Sequence, residues 1–254
     1  MPRVLLAGES WVVHETHHKG FDQFNSTTFD TGADAFIAAA AEQGIEVEQM
    51  YGHDVPAKFP RTVDALSAYD VVIISDIGYN SFVLTPETWK GGRRSENSLV
   101  ALAEWTREGG GLMMAGGYLS FQGINAVANF GRSPIAQVLP VQMIPGDDRV
   151  EVPQGGTVSV STPEHPLGVL CQGAPQLLGY NEVTIHQDAT LVATVDNDVL
   201  LATREVGSGR TLAWTSDIGP HWCPQEFLDW NGFAPLVGGM LRWLAGDSPR
   251  QQEG

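Results

Sequence analysis

The sequence predicts an α/β fold built on a mainly parallel central sheet. Three observations carry that prediction. Short apolar runs at residues 4–7, 71–76 and 112–115 read as strands buried on both faces. Helical patterns separate the strands, so the first part of the chain alternates strand and helix up to Phe121. A double glycine follows the last of these runs at once, in Ala115-Gly116-Gly117-Tyr118-Leu119-Ser120-Phe121. A glycine pair there marks a turn with positive φ, or a place where another group comes close. Ligands of open α/β sheets bind outside the carboxyl ends of the strands. Gly116 and Gly117 are therefore expected at the floor of a site.

The elements follow in order. The first strand ends at Gly8-Glu9-Ser10. The next stretch holds His14, His17, His18, Lys19, Phe21 and Asp22 and reads as a long loop, a kind of segment that usually serves function. It is expected to pack over the mouth of the sheet through His17. Residues 30–43 read as a helix, capped by Asp30 or Thr31 and ended by Gly44. Residues 45–50 alternate as a strand would, and 62–68 make a short helix. Residues 97–107 repeat Leu99, Leu102, Ala103 and Trp105 at helical spacing.

After Phe121 the rhythm changes. Residues 124–130 and 134–139 look like helical turns. Residues 150–160 are strand-like, broken at Pro153 and Gly155-Gly156. Short strands at 191–195, 199–204 and 211–215 have turn residues between them, Asp196-Asn197-Asp198 and Gly207-Ser208-Gly209. They should extend the sheet or form an antiparallel annex. Residues 233–244 form a closing amphipathic helix, and 247–254 a frayed tail. No repeat or long linker divides the chain, so residues 1–254 read as a single domain.

Totals exclude several partners. The chain has 254 residues with 30 acidic against 14 basic, a net charge of −16. Nucleic acid and anionic membrane both need a basic footprint, so neither is expected. No apolar run approaches the length of a membrane span. The N-terminal apolar run is too short for a signal peptide, and two cysteines make no disulfide framework. A cytoplasmic location is expected.

Two tetrapeptides are identical: Ser75-Asp76-Ile77-Gly78 and Ser216-Asp217-Ile218-Gly219. Each follows a strand, so Asp76 and Asp217 could share one rim. His221 lies four residues after Asp217, where an acid can orient an imidazole for base or ligand work. The plain alternative is that each Asp caps a turn. His14, His17 and His18 could ligate a metal only if the chain turned tightly, and a solvated loop is the simpler reading. Asp147-Asp148-Arg149-Val150-Glu151 reads as a surface ion-pair network or a ligand rim. Tyr180-Asn181-Glu182 reads as a turn that ties loops together or bonds a polar ligand. Cys223 lies near His221 but on no strand-to-helix elbow, and Cys171 reads as a buried small hydrophobe.

These stretches carry a resemblance. Gly8-Glu9-Ser10-Trp11, His17-His18-Lys19-Gly20-Phe21-Asp22, the two Ser-Asp-Ile-Gly sequences, Gly116-Gly117-Tyr118-Leu119-Ser120-Phe121, Asp147-Asp148-Arg149-Val150-Glu151 and Pro220-His221-Trp222 resemble the putative glutamine amidotransferase family of bacterial cytoplasmic proteins. The likeness runs over nearly the whole chain. It implies the class I glutamine amidotransferase-like superfamily, with a flavodoxin-like, doubly wound, mainly parallel sheet and a C-terminal antiparallel extension. Class I amidotransferases use an elbow cysteine and a late His-x-Glu pair. Here the elbow matches residues 115–119 and has no cysteine, and His221-Trp222-Cys223 stands where the His-x-Glu pair falls. Without a thiolate there is no glutamyl thioester.

The expected function is binding of a small polar metabolite at the carboxyl end of the sheet without glutamine hydrolysis. The alternative is a hydrolase or lyase using His221 with Asp217 and Asp76 as acid–base groups or metal ligands. Expected ligand contacts are Glu9, Ser10, His17, Gly116, Gly117, Tyr118, Ser120 and Trp222. No cofactor and no resident metal are expected, and homo-oligomerisation stays open.

Overall fold

The computed structural model describes residues 1–246, so the tail expected at 247–254 lies outside the described residues. The chain opens with β1 (Val4–Gly8), β2 (Ser10–Lys19) and β3 (Asp22–Thr31), then α1 (Asp34–Glu42) and β4 (Val47–Met50). Short helices α2 (Val55–Lys58) and α3 (Val63–Leu66) lead to β5 (Val71–Ser75). Next come α4 (Asn80–Val83), α5 (Pro86–Trp89), α6 (Ser98–Glu108) and β6 (Gly111–Ala115). The remaining strands are β7 (Val141–Met143), β8 (Arg149–Gly156), β9 (Val158–Val160), β10 (Leu177–Asn181), β11 (Val183–Ile185), β12 (Thr190–Val195), β13 (Asp198–Val206) and β14 (Gly209–Trp214). Helices α7 (Gln225–Leu228) and α8 (Phe233–Leu244) follow.

Eight strands form one sheet in the order β4-β1-β5-β6-β14-β13-β12-β9. The pairings from β4 through β14 are parallel, and those from β14 to β9 are antiparallel. This is the flavodoxin-like sheet with an antiparallel extension. The strand order reverses between β1 and β5, the crevice where such sheets take ligands.

Alternation along β1 sends Val4 and Leu6 to one core and Leu5 and Ala7 to the other. Phe36 of α1 and Leu236 and Leu241 of α8 cover the first face. Leu99, Leu102 and Trp105 of α6 cover the second. Each buried Leu or Phe contributes about 2 kcal/mol relative to exposure. No helix among the described residues is long and apolar enough to cross a membrane.

The stretch expected as a loop is instead a β-hairpin. β2 and β3 pair antiparallel over their whole length, from Ser10 with Thr31 to Lys19 with Asp22. Gly20, at φ 66, opens the two-residue turn. Both faces of the ribbon are mostly exposed, so it lacks the alternating burial by which a strand is read from sequence. The hairpin also explains the late start of α1. Thr31 ends the β2–β3 ladder, and its Oγ1 bonds Asp34 rather than capping the helix.

Candidate functional site

Four parallel strands, β1, β5, β6 and β14, end side by side, and the segments that follow their ends face the same space. After β1, Glu9 N–H donates to Ser75 C=O at 2.8 Å. The Glu9 side chain turns inward, where Ser75 Oγ donates to its Oε2. Gly32 leaves room for it, since a Cβ there would lie 2.4 Å from Glu9 Oε1. Glu9 is only 4% exposed. Burial pushes its carboxyl up to about 8, and the charges of Asp76 and then Asp217 push the same way.

After β5, Asp76 N–H donates to Ser120 Oγ at 3.0 Å, and Asp76 Oδ1 accepts from Leu119 N–H at 2.7 Å. Burial raises its pKa; the Leu119 bond opposes that rise. After β6, Gly116 sits against β14, where a Cβ would fall 2.0 Å from Thr215 O. Gly117 has φ 141, and a Cβ there would meet both Asp76 Oδ1 and Asp217 Oδ1 at 2.9 Å. The empty side of Gly117 is thus the space between the two carboxylates.

After β14, Asp217 Oδ2 accepts from His221 Nδ1 at 2.8 Å and from Trp222 N–H at 3.1 Å. The bond to Asp217 raises the His221 pKa, and burial opposes it. His221 Nε2 has no partner among the described residues. The half-exposed His221 ring meets Tyr118 edge-on at 4.7 Å and stacks on Trp222 at 5.3 Å. Trp222 is fully buried, and its Nε1 donates to Glu151 Oε2 at 3.0 Å. Tyr118 OH donates to the other oxygen of Glu151 at 2.9 Å, and Arg149 stacks on the Tyr118 ring at 4.6 Å.

Together these groups enclose a cavity of about 380 Å³ lined by Glu9, Trp11, Asp76, Tyr118, Asp217, Pro220 and His221. Glu9, Asp76 and His221 hold positive φ values of 50, 43 and 151. Non-glycine residues in such conformations cost about 1–3 kcal/mol each and cluster at functional sites.

The structure therefore brings Asp76, Asp217 and His221 to one cavity above Gly117, with Glu9 and Tyr118. Other expected contacts sit behind it. Ser120 holds the Asp76 backbone, Ser10 Oγ accepts from Gly52 N–H at 2.7 Å, and Trp222 backs His221. His17 lies elsewhere, six residues beyond Trp11 along β2, roughly 20 Å at strand rise. It stacks on Phe24 and bonds Ser26. The expected lid thus reaches the cavity only through Trp11 at the hairpin base. Strand alternation puts His17 on the opposite face from His14 and His18. Among the described residues no group of three or more His, Cys, Asp or Glu side chains is placed to hold a metal ion. Cys171 and Cys223 are both buried and neither lines the cavity; burial raises both thiols, that of Cys171 to about 12, and the charge of Asp217 adds to the rise at Cys223.

Sequence reasoning missed Trp11, because the hairpin was unread, and underrated Asn181. Asn181 Oδ1 accepts from Gly117 N–H at 3.0 Å, and its Nδ2 donates to Gly117 C=O at 3.2 Å and to Asp148 Oδ1 at 2.8 Å. Buried Asp148 in turn accepts from Gln122 and Gly123 N–H, both at 2.8 Å. The Tyr-Asn-Glu turn ties loops together, and the loop it ties is the floor of the cavity.

A pH dependence follows. Folded Glu9 keeps a proton that the unfolded chain releases, so its contribution declines as pH rises from the ordinary glutamate range to about 8. His221 acts in the same sense: its pairing with Asp217 stabilises at low pH and is lost as pH rises through its raised folded value. Stability is expected to fall between about pH 5 and 8, by at most about 1.4 kcal/mol per pH unit from Glu9, and the melting temperature with it. Glu9→Gln should flatten much of that slope; an unchanged slope in thermal melts would show that Glu9 does not hold the proton.

The description "Putative glutamine amidotransferase" belongs to the family that matches residues 3–246. Among solved structures, the chain is similar to cytoplasmic protein STM3548 from Salmonella typhimurium, at 41% identity and TM-score 0.91 over 95% of this chain and 98% of that one. It is also similar to cytoplasmic protein STM1381 from Salmonella typhimurium LT2, at 38% identity and TM-score 0.89 over 95% and 99%. A ThuA-like protein from Bacteroides uniformis shares the fold alone, at 12% identity and TM-score 0.52 over 95% and 90%. No curated protein matches the chain. With one family spanning nearly every described residue and two full-length neighbours above 35% identity, the chain belongs to the glutamine amidotransferase-like family.

Proposed function

We propose that the cavity at the carboxyl end of the sheet binds a small polar metabolite and does not hydrolyse glutamine through a thioester. One observation carries the reading. The cavity collects Glu9, Asp76, Asp217 and His221 around the glycine turn, and it is lined by no cysteine. The amidotransferase route needs a thiolate at that turn. What stands there is a set of hydrogen-bonding groups of the kind that orients a polar ligand.

A second reading has its own support. His221 is fixed by Asp217 through Nδ1 and keeps Nε2 free, the arrangement of a general base or acid. A metabolite bound there could be turned over as well as held, as by a hydrolase or lyase.

The test is a thermal-shift titration with a panel of sugars, amino acids and small amines. Wild type is expected to show a saturable shift with at least one member. His221→Ala should lose it while its own melting temperature stays within a few degrees, because the ring is half-exposed. A large fall in stability with no wild-type ligand response would make the motif structural. Loss of a bound compound over time, followed by NMR, would move the assignment to the second reading.

A further inference from the structure

Resting on the metabolite-binding reading, we propose that the ligand of this cavity is an organic cation, a small polar molecule recognised through a primary ammonium group. Three of the lining side chains are carboxyls, Glu9, Asp76 and Asp217, and none is Lys or Arg. The lone basic group, His221, is already bonded to Asp217 through Nδ1. A ligand carboxylate or phosphate would meet one free donor, His221 Nε2, beside the acidic groups of Asp76 and Asp217.

The hydrogen-bond inventory points the same way. Ser75 satisfies Glu9 Oε2, Leu119 satisfies Asp76 Oδ1, and His221 with Trp222 satisfies Asp217 Oδ2. Glu9 Oε1, Asp76 Oδ2 and Asp217 Oδ1 receive no donor from the described residues. Glu9 Oε1 packs into the notch at Gly32 and Glu9 holds its proton, so the open acceptors of the lining belong to Asp76 and Asp217. A carboxylate oxygen without a donor gains from a ligand that supplies one. An ammonium carries three N–H donors and no acceptor. The donor-less oxygens of Asp76 and Asp217, in a lining without Lys or Arg, match that inventory.

Two further features favour an organic cation over a metal ion. The carboxyl and imidazole groups are not arranged as a metal-holding set. Trp11 and Tyr118 line the same cavity, and aromatic faces attract ammonium groups and cover the carbon skeleton attached to them. Arg149 already occupies one face of Tyr118, which shows that this ring accepts a cation in this protein. The net charge of −16 adds a long-range field that concentrates cations at the surface.

The experiment is isothermal titration calorimetry at pH 7 with matched pairs: glucosamine against glucose, ethanolamine against ethylene glycol, putrescine against 1,4-butanediol. Gluconate and magnesium chloride serve as separate arms. At least one amine is expected to bind ten-fold or more tightly than its neutral twin, and Asp76→Asn and Asp217→Asn should each weaken it ten-fold or more. Circular dichroism melts of both variants establish that they fold. A neutral twin binding as tightly as its amine, with the binding lost in His221→Ala, would overturn the ammonium assignment and leave the cavity reading standing. Preference for gluconate, or a response to magnesium alone, would also overturn it. No response to any probe would sink this proposal, while a response in the wider thermal-shift panel would keep the cavity reading alive.

Discussion

Gly117→Cys, which would return a thiol to the elbow, is expected to yield a destabilised protein that releases no ammonia from glutamine. The reason is geometric. Gly117 has φ 141, and its absent Cβ points to Asp76 Oδ1 and Asp217 Oδ1, each 2.9 Å away. A side chain at that φ costs about 1–2 kcal/mol by itself. It must also push apart two carboxylates that are held by the bonds to Leu119 and His221. The combined effect is about 2–4 kcal/mol, or roughly 5–15 °C of melting temperature in a chain of this size. Gly116→Cys should be worse, because its Cβ would fall on the Thr215 carbonyl, and backbone cannot swing aside as a side chain can. A glutaminase assay on wild type and both variants, beside thermal melts, checks this. Ammonia release by wild type that vanishes in Cys223→Ser would show that a thiol is available after all.

The second large effect is expected at Asn181, 64 residues from the glycine it holds. Asn181→Ala removes three hydrogen bonds at a fully buried position and leaves Gly117 N–H, Gly117 C=O and Asp148 short of partners. Each buried group left unpaired costs about 1–3 kcal/mol, so a loss of about 3–5 kcal/mol is expected in urea unfolding. Asn181→Asp should be at least as harmful at pH 7. It keeps the acceptor for Gly117 N–H but sets a second carboxylate oxygen where Asp148 expects a donor. The order of the two variants is the informative result. If Asp at 181 were tolerated better than Ala, Asp148 would be taking the proton, and the clamp would not depend on the amide.

How legible the site was depends on what each residue does to its neighbours. The strands at Val71–Ser75 and Gly111–Ala115 are apolar but for Ser75, because both faces are buried. That made them plain in the sequence. The repeat of Ser-Asp-Ile-Gly was informative for a reason seen only in three dimensions. β5 and β14 flank β6 in the sheet. The two tetrapeptides therefore stand on either side of Gly117, each with a buried Ser and Ile framing an Asp that faces the cavity. The hairpin was illegible because its residues obey no burial pattern; the pairing of β2 with β3 holds its shape, and Phe29 rests on Tyr51 and His53. Trp11 went unread with it. Glu9 was expected as a contact, but its raised pKa arises from Asp76 and Asp217 as well as burial, and proximity between strands far apart in sequence has no local signature.

The place of β14 in the sheet has a consequence for the protein's birth on the ribosome. β4, β1, β5 and β6 are all made before residue 116, yet β6 gains its second neighbour only when Gly209–Trp214 arrives. At about 5–20 residues per second, nearly 100 residues of synthesis leave that edge open for roughly 5–20 s. The edge is five residues long and wholly apolar or glycine, the kind of strand that recruits another chain. The half-made molecule is thus the species most in need of a chaperone. The cavity cannot form in that interval, because Asp217 and His221 come after β14, and closure of the sheet and completion of the cavity are one event in the life of the chain.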